Sequence, residues 1–139
     1  MAAGVVVGDS VAAVVANCDV VATSLPSSNS FVAVAESEIL PNVRAGQIVI
    51  DFGTVSPPET RRLAACFAEK GVDLLDVPVS GGGGGAQQAK LLMFIGGNEG
   101  TVERCRSILE AVGGPDTMTY CGPSGAGQAV KGVNQLMMG

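Results

Sequence analysis

Residues 47–57 read QIVIDFGTVSP. Gln47 to Asp51 (QIVID) reads as a strand, its apolar, β-branched run Ile48 to Ile50 being too short for a helix. Gly53 to Ser56 make a turn, and Pro57 or Pro58 suits the first turn of a helix, where a missing N–H has no intrahelical acceptor to lose. That helix is expected to reach Lys70, with Gly71 as its C-terminal stop.

The same strand-turn-helix unit recurs on both sides. Upstream, Asp19 to Ser24 (DVVATS) reads as a buried strand ending at Leu25-Pro26, because a residue before proline avoids the helical region. A short helix to about Ala16, capped by Asp9 or Ser10, precedes it, and a helix from about Asn29 to Leu40 follows. Val5 to Val7 reads as a further short strand. Downstream, Asp73 to Val79 (DLLDVPV) is a strand whose Pro78 places its end at a sheet edge or outside the ladder. Leu91 to Ile95 and Thr117 to Cys121 read as strands, about Gly100 to Val112 as a helix, and Ser124 starts a last helix with no stop signal. Short apolar runs alternating with helix-period segments predict an α/β fold of β-α units, a mostly parallel sheet with flanking helices.

Composition removes several classes of function. The chain has 139 residues, 47% apolar and 15% charged, which is one-domain size with enough apolar content for a core. Eight Lys and Arg against thirteen Asp and Glu leave a net charge of −5, with the basic residues scattered, so no cationic footprint for nucleic acid is expected. No apolar run approaches the roughly 18 residues that cross a bilayer, since Asp9, Asn17 and Asp19 interrupt the most hydrophobic stretch. The first basic residue is Arg44, so no charged signal-peptide start is expected and the cytoplasm is the default location. The chain has no histidine, and Cys18, Cys66, Cys105 and Cys121 form no C-x-x-C pair. No metal site and no His-based triad is expected, and the thiols read as buried or idle.

Two stretches can carry chemistry. Ser80 followed by five glycines, Gly81 to Gly85, comes directly after a strand, where backbone N–H groups can converge into an anion nest suited to a carboxylate. No Gly-Lys-Ser/Thr follows, so it is not a Walker loop; a flexible glycine connector is the competing reading. The second stretch is Gly122 to Asn134. Helical spacing puts Gly127, Lys131 and Asn134 on one face. Lys131 is the only Lys or Arg in the last 33 residues, among Ala, Val, Gly and Met, where desolvation disfavours the charged ammonium and suits the amine to pass a proton to or from a substrate oxygen. A solvated lysine on an exposed helix face is the alternative. Gly125-Ala-Gly127-Gln-Ala-Val imitates half of a dinucleotide fingerprint but lacks the third glycine, and reads as a decoy. Leu25, Pro26 and Thr54 fall just after strands, at the carboxyl edge where open α/β sheets bind ligands. Asp51 reads as a structural strand-end residue without a proton-transfer role.

Taken in order, Leu25-Pro26, Asp51 to Pro57, Asp76-Val-Pro-Val-Ser-Gly-Gly82, Gly85-Ala86, Gly96-Gly97 and Gly125-x-Gly127-x-x-x-Lys131-x-x-Asn134 resemble the β-hydroxyacid dehydrogenase family, the group of 3-hydroxyisobutyrate dehydrogenase, tartronate semialdehyde reductase and the glyoxylate/succinic semialdehyde reductases. The resemblance spans nearly the whole chain. It departs from the family pattern at Gly53, Val77, Ala89 and Phe94, none of which is Lys131 or Asn134.

The resemblance implies a Rossmann-type domain that binds NADP or NAD and moves a hydride between the nicotinamide and a small β-hydroxy acid or its semialdehyde. By carry-over, Ser80, Gly81 and Gly82 hold the substrate carboxylate, Lys131 is the catalytic acid/base, Asn134 orients the same substrate, and Leu25, Pro26 and Thr54 line the cofactor. It implies a partial nucleotide-binding domain over residues 1–122 and the start of an inter-domain helix over residues 123–139. The family's first β-α-β unit, with its Gly-x-Gly-x-x-Gly turn, and its C-terminal helical domain are not in the sequence, so the chain is expected to be a fragment, inactive alone, of an enzyme that forms a homo-oligomer. The other reading is a non-catalytic nucleotide-binding or interaction module.

Overall fold

A computed structural model describes residues 4–138. In chain order the elements are α1 (Val11–Asn17), β1 (Val20–Thr23), α2 (Ser28–Val34), β2 (Ile48–Asp51), α3 (Pro57–Glu69), β3 (Asp73–Asp76), β4 (Val79–Ser80), α4 (Gly82–Gln87), β5 (Leu92–Gly96), α5 (Glu99–Arg104), α6 (Arg106–Gly113), β6 (Met118–Gly122) and α7 (Ala126–Met138). A wide π-helical turn, Ala35–Ile39, continues α2, and a 3₁₀ turn, Pro115–Thr117, leads into β6. The fold is α/β and Rossmann-like, a mostly parallel sheet flanked by helices.

The strand predicted around Val49 sits at the heart of it. β2 pairs in parallel with β1 on one side and with β3 on the other, in a register that sets Asp51 between Thr23 and Asp76. All four β2 residues are buried. Their alternation feeds both faces of the sheet: Val49 joins Val15, Val21, Phe31, Leu63 and Phe67, whereas Ile48 and Ile50 join Leu75, Met93, Ile95 and Leu109. A strand buried on both sides is therefore apolar throughout, which is why it was legible as a strand.

Helix starts follow hydroxyl caps. Ser10 accepts the N–H of Ala13, Ser27 that of Ser30 and Ser56 that of Glu59. Accordingly α2 opens one residue before the expected Asn29, at Ser28, because Ser27 is the cap.

Individual elements can be set against the sequence reading. The sheet is mostly parallel, as expected: β1, β2 and β3 run parallel and β5 runs parallel to β6, while β5 is antiparallel to β3 and β4. β4, the end of the strand expected over Asp73 to Val79, lies at the sheet edge as expected, and is split from β3 around Pro78. The Pro78 carbonyl accepts the N–H of Phe94 at 3.1 Å, and pairing with β5 resumes at Val79 and Ser80; without an N–H, Pro78 interrupts the ladder without ending it. Val5 to Val7 forms no strand and is exposed. The glycine run is not a floppy connector: Gly82–Gln87 is the helix α4, entered through Gly81 at φ 136°. Gly85 N–H donates to the Gly81 carbonyl, closing its first turn. In addition, the helix expected over Gly100 to Val112 is broken in two at Cys105.

Candidate active site

The last residue of β3, Asp76, organises the site. Its side chain is fully buried, and its carboxylate accepts the N–H of Gly125 at 2.9 Å and of Gln128 at 3.0 Å. These are free donors at the start of α7, so the protein's own carboxylate occupies the anion position at that helix N-terminus. The half-fingerprint Gly125-Ala126-Gly127 is thereby excluded as a phosphate loop. Gly127 instead serves packing. A Cβ there would run into the Phe94 carbonyl and approach the Asp76 carbonyl to 2.9 Å, so its bare backbone lets α7 lie directly on β5 and β3.

Seated in this way, α7 delivers Lys131 one turn later. Lys131 is buried, at 8% exposure, and forms no ion pair among the described residues. It lines a cleft of about 540 Å³ together with Ser80, Gly81, Gly82, Gly83 and Ser24. β4 supplies Ser80 and the bend into α4 supplies the glycines; the antiparallel return of β5 keeps that bend beside the end of the sheet. Gly82, Gly83 and Gly84 have open space where a Cβ would stand. The cleft therefore combines one amine, two hydroxyls and unobstructed backbone, which suits a small molecule bearing a carboxylate and a second oxygen.

Other candidates fall elsewhere. Asn134 is half-buried on α7, three residues beyond Lys131, and is not among the residues that line the cleft. Leu25 lines a separate cavity of about 420 Å³ with Val14, Val21 and Thr23, and Ser24 borders both spaces. Pro26 and Thr54 are exposed and line neither. Leu25 and the 53–55 turn are nonetheless adjacent, since a Cβ on Gly53 would sit 3.2 Å from the Leu25 carbonyl. The carboxyl ends of β1 and β2 thus meet in one ledge.

Asp51 lies behind that ledge. Its Oδ1 accepts the Thr23 hydroxyl at 2.9 Å and the Gly53 N–H at 3.0 Å, while Oδ2 is buried without a partner. Burial pushes its carboxyl up to about 6, the hydrogen bonds from Gly53 and Thr23 oppose the rise, and the charge of Asp76 adds to it. Burial raises Asp76 as well, against the N–H groups of Gly125, Gln128 and Gly127. Asp51 keeps the structural place assigned to it.

Gln128 was missed. It is buried, its Oε1 accepts the Val55 N–H at 3.0 Å and its Nε2 donates to the Gly53 carbonyl at 2.8 Å. The one signal in the sequence was a polar residue next to Gly127 on a helix start whose neighbours are small. Its partners lie more than 70 residues upstream, at separations of 73 and 75, so spacing gave no hint of them.

The ledge and cleft can be tested for fit to a dinucleotide. Leu25, on the rim of the largely apolar cavity, and the exposed Pro26 and Thr54 stand at the carboxyl edge of the sheet, where open α/β sheets bind ligands, and none of them bars an apolar ring. Among the described residues no Gly-x-Gly-x-x-Gly turn offers a pyrophosphate site. The residues present fit the nicotinamide end of the cofactor. No helix of the described residues is long and apolar enough to cross a membrane.

Residues 1–122 match the family described as the NAD binding domain of 6-phosphogluconate dehydrogenase. The 2-(hydroxymethyl)glutarate dehydrogenase of Eubacterium barkeri is 37% identical over 128 residues, which is 91% of this chain and 42% of that protein. The NAD-dependent L-serine dehydrogenase of Pseudomonas aeruginosa is 32% identical across 99% of this chain and 46% of its own length. The solved structure of Mycobacterium tuberculosis 3-hydroxyisobutyrate dehydrogenase with L-serine is similar at a TM-score of 0.90 and 38% identity, covering 99% of this chain and 46% of that one. The chain spans somewhat under half the length of these relatives. With the matched domain running through β6 and these relatives aligned along nearly all of α1 to α7, the chain belongs to the β-hydroxyacid dehydrogenase family.

Proposed function

We propose that this chain is the part of an NAD- or NADP-dependent oxidoreductase that holds a small β-hydroxy acid or its semialdehyde and moves the proton at its reacting oxygen. One observation carries the reading: Lys131, from α7, and Ser80 to Gly82, from the far end of β4, line a single cleft. In this reading residues 1–122 form the nucleotide-binding portion and residues 123–139 begin the helix that links it to the rest of the enzyme.

When bound, the nicotinamide supplies or accepts the hydride. The chain's own residues do the rest. The Ser80 hydroxyl and the backbone of Gly81 and Gly82 bind the substrate carboxylate and fix which carbon faces the ledge. The buried Lys131 side chain gives a proton from its ammonium form to the carbonyl oxygen on reduction, and as the amine takes it back on oxidation. Asn134, one turn away, orients the substrate from the same helix. Leu25, Pro26 and Thr54 hold the nicotinamide against the strand ends.

The test uses the protein expressed from its intact reading frame, with nicotinamide oxidation and reduction followed optically against a panel of small hydroxy acids and semialdehydes. Lys131→Ala is expected to lower kcat by about 10²–10⁴-fold, and Ser80→Ala to raise KM for the acid. Wild-type turnover by Lys131→Ala on every active substrate would overturn the reading.

A further inference from the structure

Resting on the dehydrogenase reading for its kinetic half, we propose that Gln128 is a positioning residue whose carboxamide locks the 53–55 turn to the helix carrying Lys131. The two halves of the site then keep one fixed separation.

The geometry is that of a peptide pairing with a peptide. Val55 N–H donates to Gln128 Oε1 at 3.0 Å, and Gln128 Nε2 donates to the Gly53 carbonyl at 2.8 Å. These two groups flank Thr54, so both neighbours of Thr54 are pinned while Thr54 itself stays exposed. Only one orientation of the carboxamide serves both partners, because a flip would set donor against donor and acceptor against acceptor. The main chain of the same residue is fixed separately: its N–H donates to Asp76 Oδ2 at 3.0 Å. Gln128 therefore ties together three segments, the turn after β2, the end of β3 and the first turn of α7. Lys131 lies three residues further along that helix. Among the described residues no other side chain bonds the Val55 N–H or the Gly53 carbonyl. Gln128 is 2% exposed, so water does not take its place.

Gln128→Met keeps the length and bulk of the side chain and removes both bonds. Gln128→Asn keeps the carboxamide but withdraws it by one methylene, and serves where the methionine variant does not fold. Amide hydrogen exchange is followed at Val55, with Ile50 in the centre of the sheet reporting global stability. Protection of Val55 is expected to fall by on the order of 100-fold while that of Ile50 holds. In the active enzyme, KM for the nicotinamide cofactor is expected to rise about tenfold and KM for the hydroxy acid to stay within roughly threefold. A loss of folded fraction would lower kcat and move neither KM, so the split separates positioning from mere support. Unchanged exchange at Val55 overturns the lock, and loss of Val55 protection with both KM values unmoved overturns its role in positioning. Absence of turnover or nicotinamide binding in the wild type overturns the dehydrogenase reading instead, and Val55 exchange then decides the lock alone.

Discussion

Asp76 Oδ2 accepts the backbone N–H of Gln128 at 3.0 Å across 52 residues of chain, which makes the end of a strand the cap of the helix that carries Lys131. Oδ1 does the same for Gly125. A helix N-terminus is electropositive and has donors to fill, so the buried carboxylate is stabilised there despite the desolvation that raises its pKa. Removing the side chain leaves these donors buried and unpaired. Asp76→Ala is expected to cost about 2–4 kcal/mol in urea unfolding, and Asp76→Asn, which keeps one acceptor, distinctly less. Equal stability of the alanine variant and the wild type would contradict the capping role.

The neighbouring carboxylate makes a prediction about pH. Asp51 in the folded protein titrates at about 6 against an ordinary value of 3.8, chiefly because it is buried. A raised folded pKa means that the native state binds the proton more tightly than the unfolded state. Stability from this group is then fully present below 3.8 and is lost as pH rises through about 6. The loss amounts to roughly 3 kcal/mol, and Asp76 contributes with the same sign. Asp51→Asn removes the titration, so its stability relative to wild type should improve progressively over that window in a pH series of denaturant unfolding. A constant difference between the two proteins from acid to neutral pH would contradict the burial account.

The parts of the fold visible in the sequence were those set by local rules. Gln47 to Asp51 read as a strand, Asp9 or Ser10 as a helix cap, Pro57 or Pro58 as a first helical turn and Gly71 as a helix stop. The reversal of β5 was not visible, because Leu92 to Gly96 reads the same in either direction. The short connection from Ser80 to Leu91 was the missed clue, since a parallel crossover needs about a dozen residues or more. α4 defeated propensity outright: a run of glycine is a poor helix former, yet the bend at Gly81 and the packing of Gly81 and Gly85 beside Leu91 wind it into a turn. For the site, the face bearing Gly127 and Lys131 followed from helical spacing alone. Its coupling to the 53–55 turn depends on contacts between residues far apart in sequence, which no local pattern records.

Two glycines with opposite surroundings give the last prediction. Gly127 touches the Phe94 carbonyl and the end of β3 so closely that a methyl group has no room, and the obstacles are backbone atoms of the sheet. Gly127→Ala must therefore lift α7 from β5, at a cost of about 1–3 kcal/mol for overpacking, and it should displace Lys131 from the cleft. Gly84 sits within α4 with nothing within 4 Å of a built Cβ, and its φ is not positive. Gly84→Ala should leave the structure intact and stabilise it by about 0.5–1 kcal/mol, because alanine is the better helix former and loses less backbone freedom on folding. Thermal unfolding of both variants, with an amide spectrum of α7 as the positional readout, checks the pair. A destabilised Gly84→Ala would mean that α4 is not helical, and an undisturbed α7 in Gly127→Ala would mean that the helix does not rest on the sheet at that point.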